Sequence, residues 1–229
     1  MKTLTAKTFV KRVACALSES ETTRLEGMLE IEARLWEQGF RRVAGVDEAG
    51  RGPIAGPIVA AAVVLAAPLP ELNDSKRLSE SCRKRLYAQL CDGSHQVGVA
   101  TVSAQTIDAH GIQQANYRAM LEAIDALPTP PDFVLVDGYA LHGLALPAMR
   151  VIKGDARSLS IAAASVVAKV TRDALLEALH EQYPQYGFAR HKGYGTREHL
   201  DALARHGPCP EHRRSFAPLA IAGEESFLV

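Results

Sequence analysis

The uncharged apolar run from Ile58 to Pro70 constrains the fold more than any other stretch of this chain. It is shorter than the roughly 20 residues needed to cross a bilayer and it closes on prolines, so it reads as a buried strand. A buried strand needs a sheet around it. Four further apolar runs supply candidates: Val43 to Asp47, Gln96 to Val102, Phe133 to Asp137 and Met149 to Ile152. The first three runs are joined without long helices until Glu80 to Leu90, which suits an antiparallel meander. A helix from Ala104 to Leu127 then leads to the last two, and the expectation is an α/β fold built on a mixed sheet flanked by helices.

Residues 1–40 have a different character. They mix Lys, Arg and Glu with Leu25, Leu29, Ile31, Leu35 and Trp36 at helical spacing and contain no proline. This predicts a helical N-terminal appendage, with Ser18 or Ser20 starting its second helix, ahead of a single catalytic domain over 41–229. The clearest helix runs from Leu159 to about Gln182 with Ser158 as a possible cap, and its alanine-rich first half predicts close packing on the sheet.

Composition narrows the partners. A hydrophobic fraction of 47% and a charged fraction of 23% exclude a disordered chain, while 26 basic against 26 acidic residues leave no bulk positive charge to hold nucleic acid. Any such binding needs a local patch. Lys169, Arg172, Arg190, His191, Lys192, Arg197, Arg205, Arg213 and Arg214 could form one in the C-terminal third, or could be an ordinary solvated surface. Cys15, Cys82, Cys91 and Cys209 form no CxxC pair and no zinc spacing, which suits a reducing cytoplasm. Lys11 and Arg12 interrupt any signal-like apolar core, so a cytoplasmic location away from membranes is expected.

Acidic residues fall where strands stop. Asp47 and Glu48 close VAGVDE, Asp137 closes FVLVDG, and Asp155 lies in KGDARS before the long helix. A carboxylate at the end of an apolar strand is costly to bury alone, and a bound cation would resolve that cost. Taken singly, each also reads as a turn residue, and Asp155 as a helix cap. Neighbours on a regular strand point to opposite faces, so Asp47 and Glu48 share a site only if the strand ends or bulges there. Four oxygen ligands without clustered His or Cys favour Mg²⁺ or Mn²⁺, and a phosphodiester hydrolysis run by two such ions.

The loop Gly50-Arg51-Gly52-Pro53-Ile54-Ala55-Gly56 is neither a dinucleotide fingerprint nor a Walker loop, because a strand follows it and no Gly-Lys-Ser/Thr ends it. Its glycines suit close approach of backbone amides to a sugar or phosphate.

GVDEAGRGPIAGPIVAAAVVL, NDSK at Asn73 to Lys76, FVLVDG, KGDARS with IAAASVVAKVTRD, and HKGYGT at His191 to Thr196 resemble, in this order and spacing, the ribonuclease HII family over about residues 41–218. The resemblance implies a ribonuclease H-like five-stranded mixed sheet flanked by helices, with a helical C-terminal segment. It implies that Asp47, Glu48, Asp137 and Asp155 are both catalytic and metal-binding, with Mn²⁺ or Mg²⁺. It also implies that Gly50, Arg51 and Gly52 read the ribose 2′-hydroxyl and a nearby phosphate, that Tyr194 packs on the adjacent deoxyribose, and that Lys76 contacts phosphate. The implied substrates are RNA–DNA hybrids and duplex DNA containing ribonucleotides, cut 5′ of the ribonucleotide to leave a 3′-hydroxyl and a 5′-phosphate. A monomer without an obligate protein partner is expected. For the fourth acid Asp155 is preferred to Asp173, because its distance from Asp137 fits the family and Asp173 falls inside a helix. A related nuclease acting on DNA, or a non-catalytic duplex-binding protein, would share the same outline.

Overall fold

The computed structural model describes residues 4–13 and 17–220, so Cys15 lies outside the described residues. The chain divides into two compact units. Met1–Glu48, Ala60–Ala100 and Met120–Val170 form the first, and Ala49–Val59, Thr101–Ala119 and Thr171–Val229 the second.

A mixed five-stranded sheet organises the first unit. Its strands are β1 (Val43–Ala49), β2 (Ile58–Val64), β3 (Gln96–Val102), β4 (Phe133–Asp137) and β5 (Ala148–Val151), in the order β3-β2-β1-β4-β5. All seven residues of β2 are buried, as the uncharged run requires. β1 runs parallel to β4 from Val43↔Phe133 to Val46↔Val136, and β4 runs parallel to β5 as far as Asp137↔Val151.

Before the sheet come three helices, α1 (Ala6–Val10), α2 (Glu19–Met28) and α3 (Glu30–Glu37). Ser18 caps α2 by accepting the Glu21 amide at 3.2 Å. Phe9, Val10, Leu25, Leu29, Leu35 and Trp36 are buried, and the rings of Phe9 and Trp36 lie 5.0 Å apart. Between β2 and β3 comes α4 (Glu80–Leu90), started by Ser79. The single helix expected from Ala104 to Leu127 is two helices, α5 (Ala104–His110) and α6 (Ile112–Asp125). Gly111 between them has φ +79°, a left-handed conformation that no continuous helix accommodates.

The long helix α7 (Leu159–Gln182) starts where expected. Ser158 Oγ accepts the Ile161 amide at 3.2 Å, and every residue from Ser158 to Ala168 is buried. The close packing is literal: a Cβ added to Gly45 of β1 would stand 2.1 Å from the Ser160 carbonyl carbon. Glu32 of α3, only 1% exposed, reaches this same helix start. Its Oε1 accepts from Ser158 Oγ at 2.6 Å, Ser160 Oγ at 2.9 Å and the Ser160 amide at 3.0 Å. Burial pushes the Glu32 carboxyl above its usual range, against the lowering effect of those bonds.

The second unit contains α5, the later turns of α7, α8 (Phe188–His191) and α9 (Arg197–His206). Its core gathers Ala55, Leu176, Tyr186, Phe188, Ala202 and Cys209. Among the described residues no helix is long and apolar enough to cross a membrane.

Replacing Glu32 by Ala is expected to lower stability by about 1–3 kcal/mol, since three buried donors lose their acceptor. Glu32→Gln keeps an amide oxygen for those donors and removes an ionisation that burial opposes, so it should melt within a few degrees of wild type at pH 7. Denaturant unfolding of both variants checks the contrast.

Candidate active site

In the first unit the strand register decides where the acids go. Val46 and Val136 are opposite one another in the parallel β1/β4 ladder, so the next residues, Asp47 and Asp137, emerge side by side on one face. β1 continues through Glu48 to Ala49, further than expected. Asp47 is 7% exposed, and its Oδ1 accepts the Glu48 amide at 2.8 Å. Asp137 Oδ1 accepts the Gly154 amide at 2.6 Å. Asp155 follows in a single 3₁₀ turn, Gly154–Ala156, launched by Lys153 in the left-handed region at φ 54°. Lys76 Nζ lies 3.9 Å from Asp155 Oδ2, with the lysine side chain 84% exposed.

These carboxylates resist ionising together. Burial raises Asp47 well above the ordinary aspartate range, and the charges of Glu48, Asp137 and Asp155 push it further the same way. Burial also raises Asp137 and Asp155, while Lys76 pulls both back. Among the described residues no group of three or more acidic, His or Cys side chains stands close enough together to hold a metal ion. Each acid instead uses a local partner: an amide for Asp47 and Asp137, an ammonium for Asp155.

The second unit holds the Gly-Arg-Gly loop and Tyr194. Arg51 Nη2 donates to Gln113 Oε1 at 3.4 Å. The Tyr194 side chain is exposed, and its Cε1 would lie 3.7 Å from a Cβ placed on Gly52. The Tyr194 backbone is held by a chain of neutral histidines. A carbonyl only accepts, so His199 Nδ1 donates to Tyr194 O at 2.9 Å. His199 Nε2 must then accept from His212 Nε2, 3.0 Å away, while His212 Nδ1 accepts the Cys209 amide at 3.0 Å. Burial pushes His212 down to about 4, helped by the neighbouring His199, and burial lowers His199 as well.

The basic face expected of the C-terminal third is not made by all its members. Arg172 and Arg213 are 1% and 0% exposed, because both guanidiniums turn inward to main-chain carbonyls. Arg190, Lys192 and Arg197 are paired with Glu198, Glu177 and Asp201.

Against known proteins, residues 44–219 match the family described as Ribonuclease HII. The chain belongs to the ribonuclease HII family. It is 54% identical over 198 residues to the ribonuclease HII of Geobacillus kaustophilus (strain HTA426), covering 86% of this chain and 76% of that protein. Its fold is similar to the ribonuclease H2 of Pyrococcus horikoshii OT3, with a TM-score of 0.68 and 26% identity over 82% of this chain and all of that one. It is similar too to the ribonuclease HII of a PCNA:RNase HII complex from Archaeoglobus fulgidus, with a TM-score of 0.61 and 27% identity over 75% and 93% of the two chains. As a ribonuclease HII family member the chain is an endoribonuclease, a ribonuclease H.

Two residues beside these carboxylates escaped the sequence reading. Asp74 caps the 3₁₀ turn Ser75–Arg77 by accepting the Lys76 amide at 2.9 Å, and its charge helps raise Asp137 and Asp155. The NDSK segment contained that signal beside Lys76. Gly154 packs closely, and a Cβ there would meet Ile161 Cδ1 at 2.5 Å and Asp137 Oδ1 at 3.1 Å, so both would have to shift.

The raised carboxylates fix the sign of a pH effect. Without divalent cations, the folded protein keeps protons that the unfolded chain releases, so stability should fall as pH rises from the ordinary aspartate range toward neutrality. Asp47→Asn is expected to flatten part of that fall and raise the melting temperature at pH 7 by a few degrees. Melting curves from pH 4 to 8 in chelator, for wild type and variant, check this.

Proposed function

We propose that this endoribonuclease hydrolyses the RNA strand of RNA–DNA hybrids and the phosphodiester on the 5′ side of ribonucleotides embedded in duplex DNA. The products are a 3′-hydroxyl and a 5′-phosphate. The observation that carries the reading is the desolvated pair Asp47 and Asp137, side by side on parallel strands, with the charges of Glu48 and Asp155 acting on the same point.

The donor set fits a hard divalent cation. It is all carboxylate oxygen, its members raise one another's proton affinity, and a positive ion would relieve both burial and repulsion. Asp47, Glu48, Asp137 and Asp155 would hold Mg²⁺ or Mn²⁺. When bound as a pair, such ions activate water and offset charge on the departing oxygen. The chain's own residues do the rest. Lys76, with an exposed ammonium, contacts substrate phosphate. Gly50, Arg51 and Gly52 read the ribose 2′-hydroxyl and its phosphate, and Tyr194 lays its exposed ring on the next sugar. The setting is the cytoplasm, with residues 1–40 as a helical support for a catalytic domain over 41–229 and with no obligate protein partner.

The test is single-turnover cleavage, with Mg²⁺ or Mn²⁺ in turn, of matched duplexes holding zero, one or several ribonucleotides. Cleavage at the ribonucleotides and negligible cleavage of all-DNA duplex are expected. Comparable cutting of all-DNA duplex would replace this reading with a DNA nuclease. Asp47→Asn, Glu48→Gln, Asp137→Asn and Asp155→Asn should each lose at least about a hundredfold in rate while remaining folded. Asp173→Asn, on α7, should stay within severalfold of wild type. The reverse pattern at Asp155 and Asp173 would reassign the fourth acid.

A further inference from the structure

Arg172 and Arg213 have no part in the roles assigned above, yet they are among the largest fully buried side chains of the protein. Every bond described from their guanidiniums ends on a main-chain carbonyl oxygen. Arg213 covers the start of the glycine-rich loop and its last glycine. Its Nη2 donates to Gly50 O at 2.7 Å, Nη1 to Pro53 O at 2.8 Å and Arg51 O at 3.1 Å, and Nε to Gly56 O at 2.9 Å. Arg172 takes the later part, with Nε to Pro57 O at 2.9 Å, Nη2 to Ala55 O at 3.2 Å and Nη1 to Lys192 O at 3.0 Å. Burial pushes Arg213 down to about 9 and Arg172 to about 10, so both stay charged at neutral pH.

Burying a guanidinium is expensive, and a loop can be anchored by neutral groups. What a charged fork adds is direction. In a trans peptide the C=O and N–H lie in one plane and point opposite ways. With the Gly50 carbonyl turned to Arg213, the Arg51 amide is turned away from it. With the Arg51 carbonyl turned the same way, the Gly52 amide is turned away too. The two bonds that set these planes come from two nitrogens of one rigid group.

The two glycines answer to different neighbours. Gly50, at φ +99°, could not carry a Cβ, which would fall 2.0 Å from Arg172 Nε. Its bareness thus admits the buried arginine. Gly52 has room, because an added Cβ there would meet only Tyr194 Cε1, at an ordinary 3.7 Å. The Cα of Gly52 thus stands beside the exposed Tyr194 ring.

We propose that Arg213 is a positioning residue for ribose recognition, aiming the Arg51 and Gly52 amides at the 2′-hydroxyl by holding the Gly50 and Arg51 carbonyls. This rests on the reading of the loop given under the proposed function.

The experiment is equilibrium binding in chelator, where nothing is cut, of two labelled DNA duplexes that differ by one 2′-hydroxyl. Wild type should prefer the ribonucleotide duplex by about tenfold, the scale of one or two hydrogen bonds. Arg213→Lys keeps the charge but cannot span four carbonyls. It should bind both duplexes alike, at the wild-type affinity for all-DNA duplex within about twofold, while melting as a folded protein. An intact preference in Arg213→Lys would overturn the proposal, and so would equal weakening on both duplexes, which marks a general support. Arg213→Gln is the second variant. Failure of both to fold would make Arg213 structural alone and equally overturn it. No preference in wild type would instead bring down the loop reading itself, before any variant is compared.

Discussion

Val46 and Val136 face each other across a parallel ladder, and the residue after each is an aspartate. Parallel strands in register turn successive side chains to the same face together, so Asp47 and Asp137 cannot avoid one another once the valines are paired. The ladder is held by burial of Val43, Ala44, Val46, Val134, Leu135 and Val136. Apolar packing thus forces two carboxylates into a position that their own charges oppose. A positive charge placed beside them would relieve that opposition.

Part of the first unit packs directly against that ladder. The start of α7 lies on β1 closely enough to require Gly45, and Glu32 satisfies three donors at the same helix start. Asp155 belongs to the turn just before that helix, and Gly154 beside it donates to Asp137. Helix start and Asp155 are therefore one continuous piece of backbone, tied to Asp137 by the Gly154 amide. A carboxylate from α3 is part of what secures it.

The sequence reading was good where a signal is local and periodic. Five strand runs, the start of α7 and the acids at strand ends are written in short windows, and the order of motifs carried the family. Where a residue's meaning depends on a distant partner, nothing in the sequence betrays it. Glu32 looks like any surface glutamate of an amphipathic helix, and its partners lie 126 and 128 residues away. Arg172 and Arg213 were grouped with solvent-facing cations because composition counts charge without saying which way it points. Gly50 was read as needing a bare Cα, and the neighbour inside the fold that requires it, Arg172, is 122 residues away. The break at Gly111 is local, but an isolated glycine inside a helical pattern is tolerated often enough to be read through.

The buried arginines also bear on how a chain of zero net charge meets a polyanion. Surface cations that pair with phosphates release condensed counterions, which makes such binding weaken steeply as salt is added. Arg172 and Arg213 lie out of reach of those ions, and their hydration was given up when the chain folded. The field they set under the glycine-rich loop is screened far less by electrolyte than that of an exposed lysine. If the loop takes the phosphate proposed for it, that contact depends little on ionic strength and persists in conditions that erase contacts made by exposed basic residues.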